Sequence, residues 1–452
     1  MVTNKTQRFE TVPPAKTAYF DSDVVTVDVG GTDNEWYLDK LAVNSNGTIS
    51  DVKVGIKHPK TPLTSIEEWT FGSAGAGSDV IYSADTGNVY ASDGTDLHAV
   101  DAVDGTEQWK VVSIDPFGQI RYDSINDHVY AVSGSSNEVI ASTSAPGVAW
   151  RFGVQNAILG SLDFDPDHEQ VYAADDTGIL YAINASDGSK AWDNATGKTS
   201  EAGILYESTN QQVYFGNNDE WFAFDHTGTQ QWSYDMGGGT TGLTSPLGYD
   251  PDNNHVYGGG FGKAIRAVDA VTGAEQWVES LGGANSLESG IAYDPVNGNI
   301  FYGTDDNKIR AHDAASGSLV WEFTTNDSVD SDVIYANGRV YAGNTGNGTL
   351  YALGAADGSL VWDFSATNAI DNGVAYDPDN NQVYATTKSN TLHAVNESAS
   401  IKVENTARAA TSSPSASTEV LEIDEYVASG ATIGIAVEGA DAGVELVARQ
   451  VI

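Results

Sequence analysis

The residues most able to hold an ion are carboxylates set two apart. Asp163, Asp165 and Asp167 stand in Asp163-Phe-Asp-Pro-Asp167, Asp250 and Asp252 in Asp250-Pro-Asp252, and Asp377 and Asp379 in Asp377-Pro-Asp379. Calcium is a hard ion that wants several oxygens, so these seven aspartates are its candidates. None of the runs completes the longer acidic loop of an EF-hand, and Asp-Pro serves equally well to start a capped turn. The turn is the favoured reading, with the metal left open. Histidines offer less: His98 and His393 both sit in Leu-His-Ala-Val, while His128 and His255 both precede Val-Tyr. Positions that recur along a chain argue for structure. No Gly-x-Ser-x-Gly elbow is present, and without cysteine there is no thiolate site and no disulfide framework. No catalytic set and no organic cofactor are expected, only structural calcium or other salt ions.

The elements that carry these residues repeat. Eight of the ten tryptophans fall in register: Trp69, Trp109, Trp150, Trp192, Trp232, Trp277, Trp321 and Trp362, spaced by 40, 41, 42, 40, 45, 44 and 41 residues. A second marker, a β-branched or aromatic residue followed by tyrosine, recurs at Tyr90, Tyr130, Tyr172, Tyr214, Tyr257, Tyr302, Tyr341 and Tyr384. Each unit reads as four short strands with an Asp-Pro-type turn after the first and a glycine hairpin before the tryptophan. Four strands in about 40–45 residues make a propeller blade, whereas a β-solenoid or β-sandwich would show shorter or irregular periods. Residues 391–396 begin a hairpin that no tryptophan strand follows, and Ile66–Phe71 is a tryptophan strand without a hairpin. Pairing the two closes the last blade and removes both open sheet edges. The expectation is an eight-bladed β-propeller over 64–397. The eight tryptophans are expected to lock neighbouring blades, since one equivalent position per repeat is what packing demands.

The hairpins resemble the pyrroloquinoline-quinone-type propeller repeat, Ala-x-Asp-x-x-x-Gly-x-x-x-Trp. It stands as Ala99 to Trp109, Ala267 to Trp277 and Ala311 to Trp321, with looser copies ending at Trp192, Trp232 and Trp362. That family includes quinoprotein dehydrogenases and non-catalytic outer-membrane assembly scaffolds. The resemblance implies the architecture and leaves the function open. Its dehydrogenases close the quinone under an adjacent-cysteine disulfide, which a chain without cysteine cannot form.

Residues 1–63 and 398–452 lie outside the repeats. Alternating runs at 24–29, 36–43, 49–56, 419–423, 431–437 and 444–448 give about six strands, with a small-residue linker over 398–418. Each flank alone is too small for a core. One discontinuous β-sandwich, jelly-roll-like, is therefore expected as a base formed by 1–63 and 419–452, with the propeller inserted; the alternative is two separate arms.

Charge narrows the partners. Lys plus Arg total 21 against 63 for Asp plus Glu, a formal charge of −42. Such a surface does not suit nucleic acid or anionic lipid. Its self-repulsion is relieved in concentrated salt, where the Debye length falls to about 3 Å at 1 M. Few lysines, abundant aspartate and no cysteine resemble proteins of extreme halophiles. No run of apolar residues is long enough for a membrane helix, and the opening Met1-Val-Thr-Asn-Lys-Thr-Gln-Arg lacks the apolar core of a secretory signal. Sequons at Asn4, Asn46, Asn184, Asn194, Asn326, Asn347 and Asn396 hint at exposure to a glycosylating compartment. Together these features are similar to spike, turret and tail-fibre proteins. They imply a non-enzymatic protein on the surface of a haloarchaeal virus particle, assembled in the host cytoplasm as a homo-oligomer. Its base would bind other virion proteins and its propeller a host glycan or surface-layer protein. The alternatives are a cellular haloarchaeal scaffold for protein–protein interaction and a quinone- or metal-dependent dehydrogenase.

Overall fold

The computed structural model describes residues 25–28, 35–45, 49–57, 63–64, 66–72, 79–144, 147–197, 203–237, 245–260, 264–282, 286–370, 373–397, 417–427, 432–439 and 442–451. The chain divides into two compact units, Thr64–Glu397 and the pair Met1–Leu63 with Ser398–Ile452.

The larger unit is an all-β propeller of eight blades, each an antiparallel meander of four strands, and the sheet of blade seven takes in the short strand Leu63–Thr64 as a fifth. Blade one runs Val80–Ser83, Asn88–Ser92, Leu97–Asp101 and Glu107–Val111. Blades two to seven repeat this order around residues 116–153, 158–195, 204–235, 248–280, 292–324 and 334–365. Blade eight takes Val374–Asp377, Gln382–Thr387 and Thr391–Asn396, and its fourth strand is Ile66–Phe71 from the beginning of the chain. The innermost strand of blade eight lies beside that of blade one, so the ring is closed.

Burial follows position in the blade. The second strand of blade three, Gln170–Asp175, is buried at every residue, because neighbouring blades cover both of its faces. Most fourth strands form the rim and expose most of their side chains, as in Glu275–Ser280, whereas Leu360–Ser365 of blade seven exposes only its last. Aromatic and β-branched residues between adjacent blades make the core; Trp150, Leu162, Val171 and Tyr181 share one such cluster.

The strand register explains the hairpin motif. In all eight blades the motif alanine on the third strand pairs with the tryptophan on the fourth, from Ala99 with Trp109 round to Ala394 with Trp69. A register shift follows each alanine, so the small side chain and the bulge seat an indole that a flat ladder would not. The same register moves one marker. Phe301, and not Tyr302, faces Ala311 in blade six as Tyr257 faces Ala267 in blade five. Tyr302 lies one residue out of step, on the opposite face of its strand, and its buried hydroxyl has no hydrogen-bond partner among the described residues.

In the smaller unit, strands from both flanks join into two antiparallel three-stranded sheets. Thr432–Gly439 lies between Val25–Asp28 and Ile49–Lys57, and Glu35–Ser45 lies between Ser417–Val427 and Ala442–Val451. The side chains of these strands, and the linker up to residue 416, lie outside the described residues.

Candidate functional site at the propeller axis

The innermost strands enclose a cavity of about 370 Å³ around the axis of the ring. Its described lining comes from blades one, two and four to eight, and three of the lining residues are charged. Asp79 enters blade one, Arg121 lies on the first strand of blade two, and Asp332 precedes that of blade seven; a fourth charge, Asp163 on the first strand of blade three, stands behind them against Arg121. Arg121 Nη1 lies 3.2 Å from Asp79 Oδ2, and Arg121 Nε donates to Asp163 Oδ1 at 2.9 Å. Asp163 Oδ2 accepts the backbone N–H of Tyr206 at 2.8 Å, and Ser161 Oγ that of Ile204 at 2.8 Å, so the axial side chains also tie neighbouring strands together. Gly290 sits where a Cβ would stand 2.7 Å from Asp332 Oδ1, which is how the second carboxyl gains its place beside the first.

Asp79 and Asp332 share a hydrogen bond. Burial pushes both carboxyls up from the usual range, and the Arg121 guanidinium draws Asp79 back down. Asp332 therefore keeps the proton and titrates at about 8, raised by burial and then by the Asp79 charge. Burial disfavours the charge on Arg121, but Asp163 and Asp79 more than offset it and hold its pKa above the ordinary value. The arrangement can store one proton and hydrogen-bond a small polar molecule. Sequence reasoning singled out only Asp163 of these four, because the other three belong to blades far apart in the chain and their spacing carries no pattern. A quinone stacked on an indole floor has no counterpart among the described lining residues, none of which is tryptophan.

The Asp-Pro-Asp runs lie elsewhere, in the turns after the first strands. Asp250 Oδ1 accepts the N–H groups of Asp252 and Asn253 at 2.8 and 3.2 Å, and Oδ2 accepts Asn253 Nδ2 at 2.6 Å and the Tyr257 hydroxyl at 3.1 Å. Asp377 makes the same four contacts with Asp379, Asn380 and Tyr384. Asp165 makes them with Asp167, His168 and Tyr172. The second aspartate of each run reaches the next blade. Asp167 accepts the Tyr206 hydroxyl at 2.8 Å, Asp252 that of Tyr293 at 2.6 Å, and Asp379 that of Tyr82 at 2.7 Å. The structure thus does not bring the seven aspartates together, and it gives them protein donors. Burial and these carboxylates push the pKa of Tyr172, Tyr257 and Tyr384 far above the ordinary phenol value, so the hydroxyls remain donors.

A family model described as outer membrane protein assembly factor BamB matches residues 93–244, 261–368 and 346–445. The chain belongs to the BamB family. Among solved structures it is similar to BamB from Moraxella catarrhalis, at 14% identity and a TM-score of 0.61, over 74% of this chain and 100% of that one. It is also similar to Sqt1 of Saccharomyces cerevisiae, at 14% identity and a TM-score of 0.65, over 74% and 99%. The C-terminal WD40 domain of Sif2 matches at 11% identity and a TM-score of 0.61, over the same shares. At these identities the likeness is one of fold. No curated protein matches the chain.

In this BamB-family propeller six indoles cross from one blade to the next. Trp150 Nε1 donates to the Ala185 carbonyl at 2.8 Å, Trp232 to Ala270 at 2.8 Å and Trp321 to Ala355 at 2.9 Å. Trp69, Trp192 and Trp277 donate in the same way to Ala102, His226 and Ala314. Each ring lies flat on the hairpin glycine of the receiving blade. Gly188 has φ +71° and a Cβ there would stand 2.7 Å from Trp150, so both the backbone and the indole demand glycine. Two junctions differ. The hairpin facing Trp109 includes residues 145 and 146, outside the described set. Trp362 faces blade eight, whose fourth strand comes from the beginning of the chain, and its buried Nε1 has no hydrogen-bond partner among the described residues.

Proposed function

We propose that this protein is a non-catalytic scaffold whose propeller binds other proteins through its loops. The observation that carries the reading is the BamB-family repeat over most of the propeller. The axial groups agree with it, since Arg121 is answered by two aspartates and the ring uses them to join its inner strands. Cross-linking the full chain at 2–4 M salt in extract of its source tests the proposal. One partner joined repeatedly to the propeller loops supports it. Sustained dye-linked alcohol oxidation after addition of quinone and calcium overturns it.

The finer reading is display on a virus particle of a halophilic host. The two flanks form a discontinuous β-sandwich that anchors a homo-oligomer to other virion proteins, and the propeller meets a host glycan or surface-layer protein. The charge of −42 and the recruitment of both chain ends into common sheets support it. Purified particles carrying the chain in fixed stoichiometry, open to antibody, are the expected result. Recovery only with the cell envelope overturns this reading and favours a cellular scaffold.

A further inference from the structure

Blade one carries a cluster that neither the fold nor the scaffold reading uses. Asp93 and Asp96 lie in the loop between its second and third strands, and His98 is the second residue of the third strand. One ligand atom from each falls within 4.8 Å of the other two. His98 is 1% exposed, and its Nδ1 lies 2.7 Å from Glu107 Oε1 on the fourth strand. A carboxylate there places the ring proton on Nδ1 and leaves Nε2 as a bare lone pair. Nε2 is buried and has no hydrogen-bond partner among the described residues, although Asp93 Oδ2 stands 3.3 Å away. Two acceptors thus face each other across a gap that a cation would fill.

The loop holds the carboxylates in place for this. Asp93 Oδ1 accepts the N–H groups of Thr95 and Asp96 at 2.8 and 2.7 Å, which turns Oδ2 toward the histidine. Asp96 Oδ1 accepts the N–H of Ser113 at 2.9 Å. Its Oδ2 meets Lys110 Nζ at 3.0 Å, a side chain 42% exposed that can leave. Three carboxylates, counting Glu107, stand against this one lysine.

Other blades supply internal controls. In blade eight His393 occupies the position of His98 and contacts Glu67 at 2.5 Å as His98 contacts Glu107. Lys388 and Thr391 stand there in place of Asp93 and Asp96. In blade six the position is Arg310, whose guanidinium pairs with Asp306 at 2.5 Å, so a fixed cation already answers the acid. Blade one alone of these three combines the imidazole with two acids.

We propose that Asp93, Asp96 and His98 bind one divalent transition-metal ion of the zinc class, with Glu107 as the outer carboxylate and water completing the shell. An imidazole nitrogen with two carboxylate oxygens suits zinc, whereas calcium prefers oxygen throughout. The test uses the full chain stripped with chelator and titrated with zinc chloride by calorimetry, with thermal unfolding alongside. One saturable site is expected, together with a rise in Tm. Asp93→Asn keeps the Oδ1 acceptor that shapes the loop, so it should fold and lose that site; His98→Gln should lose it too. Glu107→Gln should weaken it about 10–100-fold, as loss of an outer partner does. His393→Gln should leave it unchanged. Absence of saturable uptake means that a proton fills the gap and overturns the proposal, as does unchanged uptake in Asp93→Asn. Tighter binding of calcium than of zinc overturns the metal class.

Discussion

Blades one and eight are neighbours across the closure of the ring and share Leu-His-Ala-Val on the third strand, yet they differ in two ways. Blade one has an acidic loop before its histidine and a complete hairpin after it. Blade eight has lysine and threonine before its histidine, and takes its fourth strand from the other end of the chain. The histidine–glutamate pair is therefore a framework device, and the loop in front decides whether it faces an ion. The hairpin is likewise a receiver. Trp69 of blade eight docks on Gly105 of blade one, whereas Trp362 of blade seven has no such glycine against it among the described residues of blade eight.

The largest expected effect comes from making blade eight resemble blade one. Lys388→Asp combined with Thr391→Asp should raise zinc stoichiometry from one to two per chain, read by calorimetry. An unchanged stoichiometry would show that the loop acids are insufficient. Next is the receiving hairpin. Gly105 has φ +75°, and a Cβ would stand 2.7 Å from the Trp69 ring. Gly105→Ala should cost about 2 kcal/mol in denaturant unfolding, from strain and overpacking together. Gly72, with nothing within 4 Å of its Cβ position, should tolerate alanine within about 0.5 kcal/mol.

Asp79, at the entry to blade one, gives the comparison a pH dependence through Asp332. Because the folded pKa of Asp332 is raised, its stabilisation is full below the usual carboxylate value and is lost as pH rises to about 8. Asp332→Asn is neutral throughout. Its Tm should gain on the parent chain progressively from pH 4 to pH 8 and hold that gain above. A constant difference across this range would place the proton elsewhere.

Smaller effects test each lock singly. Trp69→Phe removes a hydrogen-bonded N–H and Trp362→Phe an unpartnered one. The first should cost about 1 kcal/mol more than the second. Lys110→Met removes the cation that competes for Asp96 and should tighten zinc binding about five-fold, the worth of one charge at contact distance in water.

The eight-bladed propeller was legible because its signals are local and periodic. A tryptophan at each repeat, an Asp-capped turn and a glycine hairpin lie within a few residues of one another, and repetition separates them from chance. One marker slipped for a related reason: in Ile300-Phe301-Tyr302 the tyrosine stands one residue beyond the position that faces Ala311, and only the strand pairing shows that phenylalanine holds that place. The acidic loop of blade one was in plain view, but recurrence of Leu-His-Ala-Val set His98 aside as framework. What distinguishes it from His393 lies in residues 93 and 96, which matter only once a buried nitrogen is known to face them.

Strand, turn and repeat number thus follow from sequence alone, since backbone preference and burial pattern act over short stretches. Tertiary structure decided what converges at the axis. Asp79, Arg121, Asp163 and Asp332 meet because closing a ring brings the inner strands of distant blades to one line, and no short-range rule encodes which of eight equivalent positions will carry charge. It also decided which nitrogen of His98 is left without a proton, because that depends on a carboxylate contributed by the neighbouring strand.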